Sequence, residues 1–232
     1  LYGQGTDLIQ WQEFRSQGIK LIQDAAQSSG IKYKGSNPHQ YVDAQCWSFY
    51  PGKNLSAMGD AGAVSGNEEF ITRVRQLSNH GRSEKYVHTH QGWNARLDAM
   101  QAAVLTVKLK KLDQAIEHKR KVAYWYEREF RNSSVQVPKV GSWGQHTWNQ
   151  YVVKLPHRSR IFLALEKASV QCGIQYPQGL HRQPAFKDYY TNLPNTDILA
   201  SECLSLPMHA YLSEQNVNQI ARFVLWQFSD GK

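Results

Sequence analysis

Apolar residues in the first half of the chain follow helical spacing at some positions and extended spacing at others. Leu8, Trp11 and Phe14 recur every three residues, which predicts a helix over 7–17 with Thr6 as its cap. Short apolar runs with turn residues on either side predict three strands, at 19–23, 44–50 and 61–65. Because these strands alternate with helices, we expect an α/β fold with a mostly parallel sheet.

Two features place chemistry at the ends of these strands. Asp24 follows the first strand directly, and the second strand ends at Pro51-Gly52. In parallel sheets, ligands gather beyond the carboxyl ends of the strands. The third strand leads to Asn67, which is expected to cap a helix that runs to about Leu77.

The middle of the chain is strongly helical. From Arg96 to about Arg131 there is no proline or glycine, and Leu97, Met100 and Val104 mark one apolar face. This length predicts either one long bent helix or two nearly continuous helices.

The last part of the chain has a different pattern, which predicts a smaller α+β lobe. The expected elements are a strand at 148–155, a helix at 160–170 ended by Gly173, an extended segment at 174–176 and a helix at 213–228. We therefore expect a large α/β domain over residues 1–112, followed by a linking helix and a small C-terminal domain over 113–232.

Composition narrows the class of protein. The 232 residues carry 27 Lys and Arg against 19 Asp and Glu, a formal net charge of +8. No apolar run approaches the roughly eighteen residues that a membrane span needs, so no membrane partner is expected. Cys46, Cys172 and Cys203 lie too far apart for a disulfide framework or a zinc site, and the opening residues show no signal peptide. A reducing, cytoplasmic setting is expected.

Two polar positions are candidates for catalysis. Lys53 follows Ser48 by five residues across the Pro51-Gly52 turn, where partial desolvation of an amine can lower its pKa and suit it to bind a carbonyl group. Asp24 could hold a protonated pyridine nitrogen. Spacing alone favours an ordinary surface lysine for Lys53, and for Asp24 it leaves capping of a turn at Ala25 equally open.

In combination, the motifs carry a family resemblance. They are Asp24-Ala25-Ala26-Gln27, Ser48-Phe49-Tyr50-Pro51-Gly52-Lys53-Asn54-Leu55, Gly59-Asp60-Ala61-Gly62 and Gly92-Trp93-Asn94-Ala95-Arg96-Leu97-Asp98, in that order. This set resembles the signature of the DegT/DnrJ/StrS family, the pyridoxal-phosphate-dependent sugar aminotransferases. The resemblance spans nearly the whole chain and implies the fold-type I architecture of aspartate aminotransferase.

The resemblance also implies roles for individual residues. Lys53 matches the lysine that binds pyridoxal 5'-phosphate covalently and then moves the proton between cofactor and sugar. Asp24 matches the partner of the pyridine nitrogen, Gln27 the neighbour of the phenolic oxygen, and Ser48 a phosphate ligand. Asn94 matches an asparagine that reaches the phosphate site of a neighbouring subunit, which implies a homodimer.

Substrate contacts follow less directly from the resemblance. Arg96 is a candidate for the phosphates of a nucleotide-linked sugar, and His181 for the sugar. The chain departs from the family at Gln23, where Glu is usual, and at Gln175, where many members have His. The family also carries an N-terminal segment, ahead of the position of Leu1, that contains the cradle for the cofactor phosphate.

The resemblance implies transfer of an amino group, commonly from glutamate, to a keto group of a nucleotide-linked sugar in polysaccharide or glycoside biosynthesis. The alternative is an inactive fragment or remnant of such an enzyme. A polyanion-binding module would rest on charge alone, because Asp113 and Glu117 interrupt the basic run at 108–121. We expect no nucleic-acid partner, and no metal site at His80, His88 and His90, because ligand spacing is lacking.

Overall fold

A computed structural model describes residues 1–229. The chain forms two compact units. The first comprises Leu1, Gly3–Ile116 and Val140–Asn149, and the second comprises Tyr2, Glu117–Lys139 and the chain from Gln150 onward. The division of the sequence into domains at 1–112 and 113–232 stays a prediction.

The first unit contains a three-stranded sheet. Its strands are β1 (Ile22–Asp24), β2 (Ala44–Ser48) and β3 (Gly62–Gly66), in the order β1-β2-β3. β1 and β2 are parallel, whereas β2 and β3 are antiparallel. The prediction of a mostly parallel sheet is therefore wrong for β3. The connection from β2 to β3 contains no helix, and without a crossover helix the chain returns antiparallel.

The first unit also contains helices and a second, short sheet. They are a 3-10 helix at Leu8–Trp11, α1 (Gln12–Ser16), a 3-10 helix at Pro38–Tyr41, α2 (Glu68–Ser78) and α3 (Ala99–Leu109), with the short antiparallel strands β4 (Arg82–Glu84) and β5 (Val87–His88) between α2 and α3. The Asn67 side chain accepts a hydrogen bond from the Phe70 amide at 2.8 Å, which confirms the predicted cap. At the first helix the N-cap is Asp7 and not Thr6, and the first turn is 3-10. The Asp7 carboxylate is held there by the Tyr33 hydroxyl at 2.5 Å.

The long helical region consists of two helices. α3 ends at Leu109, and α4 (Leu112–Phe130) starts after two lysines. This confirms the alternative of two nearly continuous helices. A core cluster formed by Leu55, Ala57, Leu105, Leu112 and Ile116 packs against Phe49 and Ala61, which flank the turn after β2.

The second unit is built on an antiparallel pair, β6 (Tyr151–Lys154) and β7 (Cys203–Leu206). Its helices are the rest of α4, α5 (Arg158–Lys167), 3-10 helices at Leu180–Arg182 and Pro184–Tyr189, α6 (Pro194–Glu202) and α7 (Glu214–Ser229). Tyr151 and Val153 are fully buried on one side of β6, and the Tyr151 ring stacks on Tyr126 of α4 at 4.8 Å. This unit has the expected α+β character.

Two predicted boundaries in this region are wrong. The strand predicted from residue 148 begins at Tyr151, because Trp148 has a φ of +51° and interrupts the extended chain. The helix predicted over 160–170, with Gly173 as its stop, is α5 and already ends at Lys167, and Ser169 takes the left-handed conformation, with a φ of +58°. The helix predicted at 213–228 is α7, and the Ser213 hydroxyl accepts a hydrogen bond from the Asn216 amide at 3.1 Å.

Among residues 1–229, no helix has both the length and the apolar character to cross a membrane. Within the same range, no group of three or more His, Cys, Asp or Glu side chains is arranged to hold a metal ion.

Candidate active site

Asp24 lies at the carboxyl end of β1. It pairs with Cys46 of the parallel strand β2, and the next amide, that of Ala25, donates to the Cys46 carbonyl at 2.8 Å. The Asp24 side chain is exposed, and its Oδ1 atom accepts a hydrogen bond from the Ala26 amide at 2.9 Å. This bond fixes the carboxylate at the edge of the sheet where parallel strands present ligand-binding groups.

Ser48 and Lys53 follow at the end of β2. Ser48 is the last residue of the strand, and its half-buried hydroxyl lies 3.4 Å from the Tyr50 amide. A turn at Pro51-Gly52 is closed by the Lys53 amide, which donates to the Tyr50 carbonyl at 2.9 Å. Lys53 is half-buried, so part of this residue is shielded from solvent at the turn. Both strand ends of the parallel pair thus carry a predicted site residue.

Hydrogen bonds hold the loop after Lys53 at every second residue. The Asn54 carboxamide donates to the Thr147 carbonyl at 2.7 Å, and the Lys108 amine donates to the Ser56 hydroxyl at 2.6 Å. The Met58 amide donates to the Gln101 side chain at 2.8 Å. With Leu55 and Ala57 buried between these bonds, the loop forms a rigid support for Lys53.

Thr147 connects this loop with the segment that contains Gln27. Thr147 is fully buried, and its hydroxyl lies 3.5 Å from the Gln27 carbonyl and 3.3 Å from the Gly3 carbonyl. Gln27 itself is half-buried, three residues beyond Asp24. The Gln27 and Asn54 segments, far apart in sequence, therefore share Thr147 as a common partner.

Gln23, which departs from the usual Glu of the family, is buried behind Asp24. Its Oε1 atom accepts a hydrogen bond from the Gln45 carboxamide of β2 at 2.7 Å. Both side chains are buried, Gln45 to 2% exposure. A neutral pair at this position avoids the cost of placing an unpaired carboxylate inside the sheet.

His146, directly before Thr147 in the chain, is a buried titratable group that the sequence analysis did not predict. Its Nδ1 atom accepts a hydrogen bond from the Trp148 amide at 2.9 Å, and its ring stacks on the Trp148 indole at 3.9 Å. Burial lowers the pKa of His146 to about 4, so the imidazole is neutral near pH 7.

Asn94 and Arg96 also belong to the first unit. Asn94 forms an isolated bridge with Asn79 after α2, and its Oδ1 atom accepts a hydrogen bond from the Arg96 guanidinium at 2.9 Å. Both side chains are exposed. Arg96 also lines a groove of about 1100 Å³ that includes Cys46 and Trp47 of β2.

His181 belongs to the second unit. It is buried, and its Nε2 atom lies 3.1 Å from Oδ1 of Asp197. Arg182 binds the other carboxylate oxygen at 2.6 Å, and this guanidinium lowers the pKa of Asp197. The structure thus brings Asp24 and Ser48 to one edge of the sheet in the first unit, with Lys53 in the turn that follows β2. It pairs Asn94 with Arg96 and places His181 in an ion-pair cluster.

Thr147 and Asn54 were not predicted as supporting residues. Asn54 stands in the Lys53 motif, and that position was the available signal. Thr147 carries no local signal, because its role depends on contacts with residues more than ninety positions away.

Comparison with known proteins places this geometry in a family. The sequence profile of the DegT/DnrJ/EryC1/StrS aminotransferase family matches residues 1–225. A UDP-2-acetamido-2-deoxy-3-oxo-D-glucuronate aminotransferase of Pseudomonas aeruginosa is 36% identical over 95% of this chain and 62% of its own length. A dTDP-3-amino-3,6-dideoxy-alpha-D-galactopyranose transaminase of Aneurinibacillus thermoaerophilus is 34% identical over 97% of this chain and 62% of its own length.

Solved structures agree in fold. S. venezuelae DesV, crystallised with a ketimine intermediate, has a TM-score of 0.91 and 30% identity, covering 98% of this chain and 63% of that chain. A DegT DnrJ EryC1 StrS aminotransferase from Brucella abortus has a TM-score of 0.91 and 31% identity, covering 100% and 63%. The predicted fold-type I architecture is confirmed, and the chain spans about 62% of the length of the curated relatives described above. The chain belongs to the DegT/DnrJ/EryC1/StrS aminotransferase family.

Proposed function

We propose that this chain is the part of a pyridoxal-phosphate-dependent sugar aminotransferase that contains the cofactor-binding lysine. The observation that carries the proposal is the placement of Asp24 and Ser48 at the carboxyl ends of two parallel strands, with Lys53 in the turn after the second, in a chain of this family. Residues 1–112 are then part of the large cofactor-binding domain, and 113–232 supply the linking helix and the small domain.

The residues present fit pyridoxal phosphate by their chemistry. Asp24 is exposed and uses Oδ1 for the Ala26 amide, so Oδ2 can face a protonated ring nitrogen. The Ser48 hydroxyl at the strand end is a suitable donor to a phosphate oxygen, and Gln27 is the proposed neighbour of the phenolic oxygen. When bound, pyridoxal phosphate supplies an electron sink for reactions at an amine-bearing carbon.

Each side chain has one task in the proposed reaction. The Asp24 carboxylate keeps a proton on the ring nitrogen by charge pairing. The Lys53 amine would hold the cofactor through its carbonyl group, and as a free amine it would serve as the general base and acid that moves a proton between two carbons. The rigid loop from Asn54 to Met58 holds that amine in place, because each of its ends is hydrogen-bonded to a different element.

The substrate class follows from the relatives. Their names describe aminotransferases that act on UDP-linked and dTDP-linked sugars, and we infer a nucleotide-linked keto-sugar and an amino-acid donor, with glutamate first, for this chain. Arg96 is the proposed phosphate contact because its guanidinium is exposed beside a groove, and His181 is the proposed sugar contact. The exposed Asn94 is proposed to serve a neighbouring subunit of a homodimer. The cytoplasmic location stays a prediction.

Cofactor binding by the chain tests the proposal. We expect added pyridoxal phosphate to develop the visible absorbance of a lysine-bound form, and Lys53→Ala to abolish it. Lys32→Ala, a substitution at an exposed lysine of the same unit, is the matched control and should keep the band. A wild-type chain without the band contradicts the proposal and favours the inactive-fragment alternative. Full absorbance in Lys53→Ala contradicts the role of Lys53.

A further inference from the structure

Two methionines of the first unit are largely open to solvent. The chain contains three methionines, Met58, Met100 and Met208. Met58 is 80% exposed and Met100 is 79% exposed, whereas Met208 is half-buried in the second unit. Because methionine usually fills gaps in a core, packing does not explain two thioethers at this exposure.

The two exposed methionines lie on neighbouring segments. The Met58 amide donates to Oε1 of Gln101 at 2.8 Å, and a Cβ added at Gly59 would stand 3.3 Å from Nε2 of the same side chain. Met100 directly precedes Gln101 in the first turn of α3. The Gln101 side chain therefore joins the loop after Lys53 to the start of α3, and each of these two segments carries one exposed methionine.

Neither thioether belongs to the core of this region. The core cluster is formed by other residues of the same loop, of α3 and of α4, namely Leu55, Ala57, Leu105, Leu112 and Ile116. The loop is held by hydrogen bonds at Asn54, Ser56 and Met58, to which Met58 contributes its backbone amide. A polar atom added to either thioether would therefore replace no core contact and none of these hydrogen bonds.

The cysteine thiols of the chain are less accessible to an oxidant. Burial raises the pKa of Cys172 to about 11, and burial also raises the pKa of Cys203. Because the thiolate is the reactive form, both thiols react slowly near pH 7. Cys46 is half-buried in β2. Met58 and Met100 are therefore the most exposed of the six sulfur-containing residues.

We propose that Met58 and Met100 form a site of reversible oxidation beside the loop that supports Lys53. Hydrogen peroxide transfers one oxygen atom to each thioether, so an S–O bond forms, the O–O bond breaks and sulfur loses two electrons. The proton of the transferred oxygen passes to the leaving hydroxide, which departs as water. A thiol-dependent methionine sulfoxide reductase reverses the step, because two thiols become a disulfide and the oxygen leaves as water.

Oxidation at this site changes the polarity of an exposed surface. Met100 and Val107 lie two helical turns apart on one face of α3, and Val107 is also exposed. A sulfoxide is polar, so oxidation makes part of this apolar face polar and leaves the core cluster unchanged. The inference does not depend on the proposed function, because the rate of oxidation follows from the exposure of the two side chains.

Timed treatment of the full chain with hydrogen peroxide, followed by peptide mapping with mass spectrometry, tests the site. We expect Met58 and Met100 each to gain one oxygen at about the rate of N-acetylmethionine amide, added as an internal standard. Met208 should react about fivefold more slowly or less. In urea the three methionines should react at equal rates. Met58→Leu should remove one fast-reacting position and leave the rate at Met100 unchanged.

Reversal and tolerance of the modification are measured on the same samples. The oxidised chain should keep its melting temperature, and the two sulfoxide reductases, each specific for one epimer, should restore the original mass without unfolding the chain. The matched control is the double variant with Met58→Leu and Met100→Leu. Equal rates at all three methionines in the folded chain, or protection of Met58 and Met100, would overturn the proposal. A melting temperature that falls on oxidation of the wild type but not of the double variant would do the same.

Discussion

His146 makes the stability of the first unit depend on pH in a way that a single substitution can isolate. Burial against the Trp148 ring lowers the pKa of His146 from 6.5 to about 4. The unfolded chain therefore binds a proton on this residue at pH values where the folded chain does not. Stability from this group is fully present above about pH 6.5 and is lost as the pH falls towards about 4.

The size of the effect follows from that difference in pKa. A shift from 6.5 to about 4 corresponds to about 3 kcal/mol in total, at about 1.4 kcal/mol for each pH unit. At about pH 5 the loss should have reached about 2 kcal/mol. Asp43 and Asp197, whose pKa values are lowered by hydrogen bonds, contribute in the same direction at lower pH.

Urea unfolding at a series of pH values between about 7.5 and 5 measures this slope. His146→Asn keeps an acceptor for the Trp148 amide but does not titrate. The free energy of unfolding of this variant should therefore lack the decline of about 2 kcal/mol that is expected for the wild type over this pH range. NMR titration of the imidazole gives the pKa directly. Equal slopes in the two proteins, or an imidazole that titrates near 6.5 in the folded chain, would refute the reasoning.

Three further substitutions test other parts of the account. Gly3→Ala should lower the unfolding free energy by about 2 kcal/mol or more, because φ is +109° and a Cβ would lie 2.7 Å from the Trp148 amide nitrogen. Asn67→Ala should cost about 1 kcal/mol in urea unfolding through the lost cap of α2, with cofactor affinity unchanged. Asp24→Asn keeps an acceptor for the Ala26 amide, so unfolding should change by less than about 0.5 kcal/mol while pyridoxal phosphate binds about tenfold more weakly in an absorbance titration. Unchanged unfolding free energies in Gly3→Ala and in Asn67→Ala would contradict the first two expectations. An unchanged affinity of Asp24→Asn for pyridoxal phosphate would contradict the third.

Local signals in the sequence were sufficient for several elements of the fold. Asn67 caps α2 because its side chain reaches an amide three residues ahead, which sequence spacing alone describes. The absence of proline and glycine from 96–131 was enough to predict the helical region, and its division at two lysines matches one of the two alternatives. The turn at the end of β2 was predicted in the same way, because Pro51-Gly52 stands directly before Lys53.

Features that depend on distant contacts could not be predicted. Thr147 joins the Gln27 and Asn54 segments through hydrogen bonds across more than ninety residues, and nothing near Thr147 in the sequence indicates them. The direction of β3 depends on a connection without a helix, whereas the alternating pattern favours a parallel strand. The pairing of Gln23 with Gln45 likewise depends on the register of two strands.

The central claim is that Lys53 is the residue that holds pyridoxal phosphate. Borohydride reduction of the cofactor-treated chain, followed by peptide mapping with mass spectrometry, identifies the labelled lysine directly. The account predicts that the label lies on the peptide that contains Lys53, one cofactor per chain. A label on another lysine, or spread over exposed lysines in proportion to their accessibility, would contradict it.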